Sequence, residues 1–160
     1  MLVAERLSTQ QLHEFAQMQD DGFEADDSRP LIPEGFYKVR GIKREKVYLH
    51  NRTPKLIVTF KITSPAQYEG TELFMAINLI DTKTGKEFKK VPSGSKYYEQ
   101  WVIANGNIKP SQEDRMSPLI FISGYFEAYV RIVKPKFKDG TFKPEAFHYS
   151  IIDYLKDRIQ

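Results

Sequence analysis

The chain of 160 residues contains no cysteine, only three histidines and no long run of apolar residues. Without cysteine, disulfides, thiolate metal sites and a cysteine nucleophile are all excluded. His13, His50 and His148 lie far apart without HxxxH or HxH spacing, so we expect no metal site and no cofactor. No apolar run approaches the ~18–20 residues of a membrane span, and the start of the chain lacks a signal peptide's apolar region. These absences favour a soluble, cytoplasmic protein without a membrane partner.

Sequence motifs of common catalytic sites are missing as well. The chain has no GxSxG nucleophile motif and no glycine-rich phosphate loop ending in GK[ST]. Acidic pairs occur at residues 20–21, 26–27 and 113–114, but adjacent acids in polar segments are usually solvated. A nuclease would need acidic side chains that converge on Mg²⁺ from separate elements. We therefore predict a protein without catalytic activity.

Charge is distributed unevenly along the chain. Residues 1–34 contain eight acidic and two basic residues, whereas residues 35–160 contain 22 basic and 13 acidic residues, so the net charges are −6 and +9. The sequence therefore predicts an acidic N-terminal leader, residues 1–34, with a short helix and a linker, followed by one folded domain, residues 35–160. The leader is either a simple tether or a segment that competes for the anion that the basic domain binds. It is also a candidate contact for a protein partner.

Hydrophobic periodicity predicts two helices and five strands. Ser8 and Gln11 have the spacing of a capping box at the start of a short helix in the leader. The segment SKYYEQWVIANG has helical spacing, with Ser95 as its N-cap. Gly41 interrupts the first strand and predicts a bend or bulge there. Alternating apolar and polar residues indicate strands at residues 36–49, 56–63, 73–79, 124–132 and 147–155.

Three strands, one helix and two further strands form the element order of a Greek-key barrel. A five-stranded antiparallel sheet can remove its exposed edges by curling into a closed or partly closed barrel, with a helix over one end. We therefore predict a mainly β protein, a five-stranded OB-fold-like Greek-key barrel with one helix between strands 3 and 4, plus a short N-terminal helix. A β-sandwich is the alternative, although it usually needs more strands.

Positive charge is concentrated in the connections after the first and fourth strands. In an OB-fold these two connections flank the face that holds oligonucleotides or oligosaccharides. The second connection, RIVKPKFKDGTFKPEAF, alternates lysines with phenylalanines, a pattern that suits the phosphates and base rings of a single strand. We expect the two connections to come together and border one concave surface. A solvated edge hairpin, whose lysines prevent aggregation, is the alternative for the second connection. The candidate nucleic-acid-binding residues are Tyr37, Lys43, Arg44, Lys46, Tyr48, Arg52, Lys55, Tyr129, Arg131, Lys134, Lys136, Phe137, Lys138, Phe142 and Lys143.

Two side chains near the predicted helix between strands 3 and 4 are assigned to structure rather than to binding. Trp101 shares a helical face with Tyr97 and Ala104, which predicts a core position. Arg115 lies in the segment EDRM, and we expect it to pair with Glu113 or Asp114; the alternative is that it reaches the groove.

Residues 35–155 resemble the small OB-fold single-stranded-DNA-binding proteins of bacteriophages and mobile elements. The resemblance lies in the order of the segments and in the helix SKYYEQWVIANG before strand four. It implies non-catalytic, weakly sequence-specific binding of single-stranded DNA in replication or recombination. RNA stays open as a ligand, and so does a homo-oligomer; the alternative function is a protein-interaction or assembly module that uses the barrel face. The chain ends in YLKDRIQ rather than an acidic tip, so we do not expect it to recruit partners through this end.

Overall fold

The computed structural model describes residues 8–17, 29–48 and 53–160. Within these residues the chain is mainly β, with a five-stranded antiparallel open sheet and few helices. The strands are β1 (Gly35–Tyr48), β2 (Pro54–Ser64), β3 (Glu72–Asn78), β4 (Tyr125–Val133) and β5 (Tyr149–Arg158). The α-helices are α1 (Thr9–Gln17) and α2 (Lys96–Ala104). The mainly β class, the helix between strands 3 and 4 and the short N-terminal helix are thereby confirmed, and no helix of the described residues is long and apolar enough to cross a membrane.

The N-terminal helix α1 begins with the capping box that its sequence predicts. The Ser8 backbone N–H donates to Oε1 of Gln11 at 2.8 Å, and the Gln11 backbone N–H donates to Oγ of Ser8 at 3.1 Å. These two bonds satisfy amides that the first turn of a helix leaves without an intrahelical partner. The predicted end of this helix, near residue 22, lies outside the described residues.

The sheet has the strand order β3-β2-β1-β4-β5, and its two outermost strands contact each other. β1 pairs with β2 along most of its length and with β4 only through residues 35–40. Because β1 is shared between two strand pairs, it must bend between them. The inward side chains of all five strands form one core, which includes Val39, Phe60, Ile77 and Phe126.

The bend in β1 is a bulge at Gly41, as the sequence predicts. Gly41 pairs with Phe60 and Lys43 pairs with Thr59, so the intervening Ile42 is an extra residue without a partner on β2. The Gly41 N–H donates to the Gly124 carbonyl at 3.1 Å, and the Gly41 carbonyl accepts from the Ser123 N–H at 2.7 Å. A Cβ at this position would lie 1.7 Å from the Phe121 carbonyl oxygen. Only glycine fits this close approach of two backbones.

Residues 30–33, which the sequence places in the linker, belong to the packed domain. The Ser150 N–H donates to the Pro30 carbonyl at 2.9 Å. The Ser150 hydroxyl accepts from the Ile32 N–H at 2.8 Å and donates to the Ile32 carbonyl at 2.9 Å. Ile32 is buried in the core. The leader is therefore fastened to the start of β5 before β1 begins.

Helix α2 packs its predicted apolar face onto the hydrophobic core. Tyr97, Trp101 and Ala104 are buried, and Ser95 caps the first turn by accepting the Tyr98 N–H at 3.2 Å. The Trp101 indole N–H donates to the Ser117 carbonyl at 3.1 Å, which satisfies its polar atom inside the fold. The core assignment of Trp101 is confirmed.

Candidate nucleic-acid interface

The connections after β1 and after β4 leave the sheet at opposite ends of β1. The described cations that the sequence analysis assigns to the first connection lie on β1 and β2 instead: Lys43, Arg44, Lys46 and Lys55. Gly35, at the start of β1, pairs with Val130 near the end of β4, so the connection after β4 leaves the sheet at this end. Tyr48, at the other end of β1, pairs with Pro54 at the start of β2. The two connections therefore do not adjoin along the sheet, and the expectation that they come together is not met. A ligand that contacts both must follow the length of β1.

The connection between β4 and β5, residues 134–148, contains a small hairpin of its own. Lys136 and Phe142 form an antiparallel bridge, and the Phe137 N–H donates to the Thr141 carbonyl at 2.8 Å. At the turn, a carboxylate oxygen of Asp139 accepts the Thr141 hydroxyl at 2.6 Å and the Thr141 N–H at 2.9 Å. These hydrogen bonds, the hydroxyl first, hold the pKa of Asp139 below its usual range. The turn thus has a defined backbone shape.

Three phenylalanines of this connection remain half exposed, each with a lysine ammonium above its ring. Phe137, Phe142 and Phe147 keep 47%, 61% and 54% of their surface exposed. The Lys136 Nζ lies 4.8 Å from the Phe142 ring centroid, and the Lys143 Nζ lies 5.6 Å and 5.5 Å from those of Phe137 and Phe147. The rings are therefore not packed into the hydrophobic core, and aromatic surface and positive charge occur side by side.

The lysines of this connection have no carboxylate partner among the described residues. The ion pairs in residues 8–17, 29–48 and 53–160 join Lys43 to Glu45, Lys46 to Glu87 and Arg131 to Asp153. Lys134, Lys136, Lys138 and Lys143 take part in none of them. Their charge is thus available to an anionic ligand, since no ion pair with a described residue holds it.

Past the bulge, Lys43 lies on the outer face of the sheet in one cross-strand row with Thr59 and Phe74. These three residues and Arg29 line an open groove of about 920 Å³. Arg29 precedes the segment that is fastened to β5, so the acidic leader enters the domain at the edge of this groove. We call this surface the outer groove.

The other cations predicted on β1 lie on the opposite side of the strand. Arg44 and Lys46 pair across the sheet with Val58 and Leu56, whose side chains point inward. Lys46 forms an ion pair with Glu87, and its Nζ lies 5.4 Å from the ring centroid of Tyr48, which is exposed. The bulge therefore divides the predicted β1 cations between two surfaces.

Tyr37 requires a correction, because the structure places it in the core. It is only 6% exposed, and its hydroxyl donates to the Pro33 carbonyl at 2.7 Å. Its ring packs edge to face against Tyr68, with centroids 5.7 Å apart. Burial raises the pKa of this phenol, and the charge of Tyr68 raises it further. A buried ring cannot stack on a base, so Tyr37 is a packing residue.

The remaining candidate nucleic-acid-binding residues do not form one surface patch. Arg131, on the outer face of β4, is held by Asp153, with 3.3 Å between its Nε and Oδ1. Lys55 is half buried on the outer face of β2, opposite Val47. Arg52 lies outside the described residues. Tyr129 faces outward from β4, where it belongs to an aromatic cluster.

This aromatic cluster contains residues that the sequence argument missed. Phe36, Tyr129 and Tyr154 occupy one cross-strand row on β1, β4 and β5. The Tyr129 and Tyr154 rings stack with centroids 5.5 Å apart, and Phe36 meets Tyr129 edge to face at 5.1 Å. The Lys156 Nζ lies 4.6 Å from the Phe36 centroid. Such cross-strand pairs stabilise a sheet by ~0.2–1 kcal/mol each, and this row also leaves Phe36 half exposed.

Acidic and histidine side chains do not form a metal centre in the described part of the chain. No group of three or more such residues there is placed to hold a metal ion.

Comparison with known proteins assigns no family to the chain. No protein-family model matches it. No curated protein matches its sequence. A function is therefore inferred from the side chains and their geometry.

Proposed function

We propose that this chain is a non-catalytic single-stranded-DNA-binding protein with an OB-fold-like barrel and little sequence preference. The observation that carries the proposal is the β4–β5 connection, in which half-exposed Phe137, Phe142 and Phe147 lie beside lysine ammonium groups. A single strand offers both matching partners, because its bases stack on aromatic rings and its phosphates attract cations.

Duplex DNA fits this surface less well than a single strand does. In a duplex the base faces are stacked on one another, so exposed phenylalanines would gain no base partner. Stacking on an aromatic side chain contributes ~1–3 kcal/mol per base, and it tolerates any sequence because every base has a flat face. The proposal therefore includes a preference for unpaired strands and a weak dependence on base identity.

The barrel architecture supports the same proposal. The strand order β3-β2-β1-β4-β5, the contact between β3 and β5 and the bulge in the shared strand β1 are features expected of a five-stranded Greek-key barrel. Helix α2 lies between β3 and β4 in the chain and contacts both β3 and β5. Barrels of this kind use outer surfaces and loops to bind oligonucleotides.

The direct test is a titration of labelled oligo-dT, a matched duplex and an RNA strand at low and moderate salt. We expect the tightest binding to oligo-dT, with log K falling linearly against log salt. The slope should be about −0.7 for each phosphate contacted on a single strand. Fluorescence anisotropy of the labelled strands measures all three affinities.

Binding that is absent or insensitive to salt would contradict the proposal and favour a protein-interaction module. Equal affinity for the duplex and the single strand would contradict the stacking role of the phenylalanines. Tighter binding of the RNA strand would assign the same surface to RNA.

The acidic leader should weaken binding at low salt, because it is fastened beside the outer groove and its charge is opposite to that of the domain. Deletion of residues 1–29 removes seven acidic and two basic residues but keeps Ile32 and its bonds to Ser150. We expect severalfold tighter binding of oligo-dT at low salt and a smaller difference at high salt, since exposed charges are screened within about 10 Å at 0.1 M salt. Unchanged affinity at low salt would make the leader a simple tether.

A further inference from the structure

A second cationic concavity lies between the connection from β3 to α2 and the connection from α2 to β4. It consists of two adjoining cavities of about 460 Å³ and 1170 Å³, which share Lys89, Val91, Arg115 and Met116 as lining residues. The two cavities therefore adjoin, and both are open to solvent. We call this surface the trough. It adjoins Arg44, on the side of β1 that faces away from the outer groove.

Both walls of the trough are held by backbone contacts to the rest of the fold. In the first connection, Ile80 bridges to Glu87 and the Phe88 N–H donates to the Leu79 carbonyl at 2.9 Å. In the second, the Met116 carbonyl accepts the hydroxyl of buried Tyr97 at 2.5 Å. Burial raises the pKa of Tyr97 to about 12, while the positive charge of Arg44 opposes that rise. The phenol of Tyr97 therefore stays neutral at pH 7. The backbone contacts fix the positions of the two connections that carry the cations.

Four of the five cations that line the trough form no ion pair with a described residue: Arg44, Lys89, Lys90 and Arg115. The fifth, Lys46, pairs with Glu87. Two further carboxylates line the trough: Asp114 accepts the Ser111 N–H at 2.7 Å, and Glu113 forms no ion pair with a described residue. The lining therefore has five basic and three acidic side chains. The expected pairing of Arg115 with a neighbouring acid is therefore not found.

We propose that the trough binds phosphate groups of a single strand, as a second segment of the path that begins at the β4–β5 connection. This inference rests on the proposed function. Two adjoining open cavities, lined by four cations that form no ion pair with a described residue, fit a polyanion better than a single small anion. Few exposed aromatic rings line the trough, so we expect contacts to the phosphates of the DNA backbone that do not depend on base sequence.

The test compares two triple variants with the same change of charge. The first, Lys89→Gln, Lys90→Gln and Arg115→Gln, removes three trough cations. The control, Lys83→Gln, Lys86→Gln and Lys109→Gln, changes exposed lysines in the same two connections that do not line the trough. For oligo-dT of about 20 nucleotides, longer than a single site of ~4–16, we expect the salt slope of the trough variant to fall by about 2 units. The control should keep the wild-type slope.

The affinity for oligonucleotides of different length provides the second readout. With oligo-dT of about 6 nucleotides, near the lower end of known site sizes, the trough variant should bind within about twofold of wild type. The inference is overturned if the trough variant matches the control at both lengths, or if it loses affinity equally for the short and the long strand. Failure of the wild-type protein to bind either strand would instead overturn the proposed function. If the triple variant does not fold, the Lys89→Gln, Lys90→Gln double variant supplies the same comparison.

Discussion

Replacement of Lys134, Lys136, Lys138 and Lys143 by glutamine should lower the affinity for oligo-dT more than any other charge change of the same size. Each lysine lies in the β4–β5 connection without a carboxylate partner among the described residues. If each contacts one phosphate, the salt slope should fall in magnitude by about 3 units. At about 0.1 M salt this corresponds to a loss of affinity on the order of several hundredfold. Fluorescence anisotropy across a salt series measures both quantities.

A matched control removes the same number of positive charges elsewhere. Lys38, Lys83, Lys86 and Lys109 are exposed and lie outside the β4–β5 connection, the outer groove and the trough. Their replacement by glutamine should reduce binding only through the weaker net charge and leave the slope nearly unchanged. Equal losses from the two variants would mean that binding follows net charge alone. The β4–β5 connection would then be a solvated hairpin whose lysines protect the sheet edge.

The helices and strands were largely predictable because their signals are local. Ser8 and Gln11 lie three residues apart and Ser95 directly precedes its helix, so short-range hydrogen bonding determines these helix starts. Gly41 interrupts an alternating pattern and indicates a bulge without knowledge of its partners. Strand alternation likewise reports which residues share a face, whatever the strand pairs with. These features need no information from distant parts of the chain.

One error in the candidate site, the assignment of Tyr37 to the binding surface, was avoidable from the local sequence. Tyr37 lies two residues before Val39, whereas Lys38 and Arg40 alternate with them. Side chains two apart in a strand share a face, so Tyr37 belongs with apolar Val39 and not with the cations. The same reasoning correctly points Tyr129 outward, between Glu127 and Arg131. The alternation of β1 therefore predicts that Tyr37 is buried.

Other parts of the candidate surface depend on long-range register and could not be read from the sequence. Phe36 meets Tyr129 and Tyr154 only because β1, β4 and β5 pair with particular offsets, including shifts within β4 and β5. Arg115 joins Lys89 only because two connections pack side by side. A bulge predicts that the alternation of inward and outward side chains is inverted after it. The identity of the extra residue determines whether Lys43 or Arg44 points outward. That choice depends on β2.

Gly41→Ala should destabilise the domain by at least about 3 kcal/mol, at the upper end of overpacking effects. The added methyl group would lie 1.7 Å from the Phe121 carbonyl oxygen, and the obstacle is backbone, which cannot rotate away. Relief requires β1 to separate from residues 121–124, and this breaks the hydrogen bonds from Gly41 to Gly124 and from Ser123 to Gly41. Urea unfolding, followed by the fluorescence of buried Trp101, measures the free energy of unfolding.

Gly94→Ala is the matched control for this substitution. A Cβ at Gly94 meets nothing within 4 Å, and its backbone lies outside the left-handed region, so alanine should change stability by less than about 0.5 kcal/mol. An unfolding midpoint for Gly41→Ala equal to that of Gly94→Ala would mean that β1 and residues 121–124 are not in close contact. Because the bulge divides Lys43 and Arg44 between the outer groove and the trough, that outcome would also remove the structural basis for two separate cationic surfaces on β1.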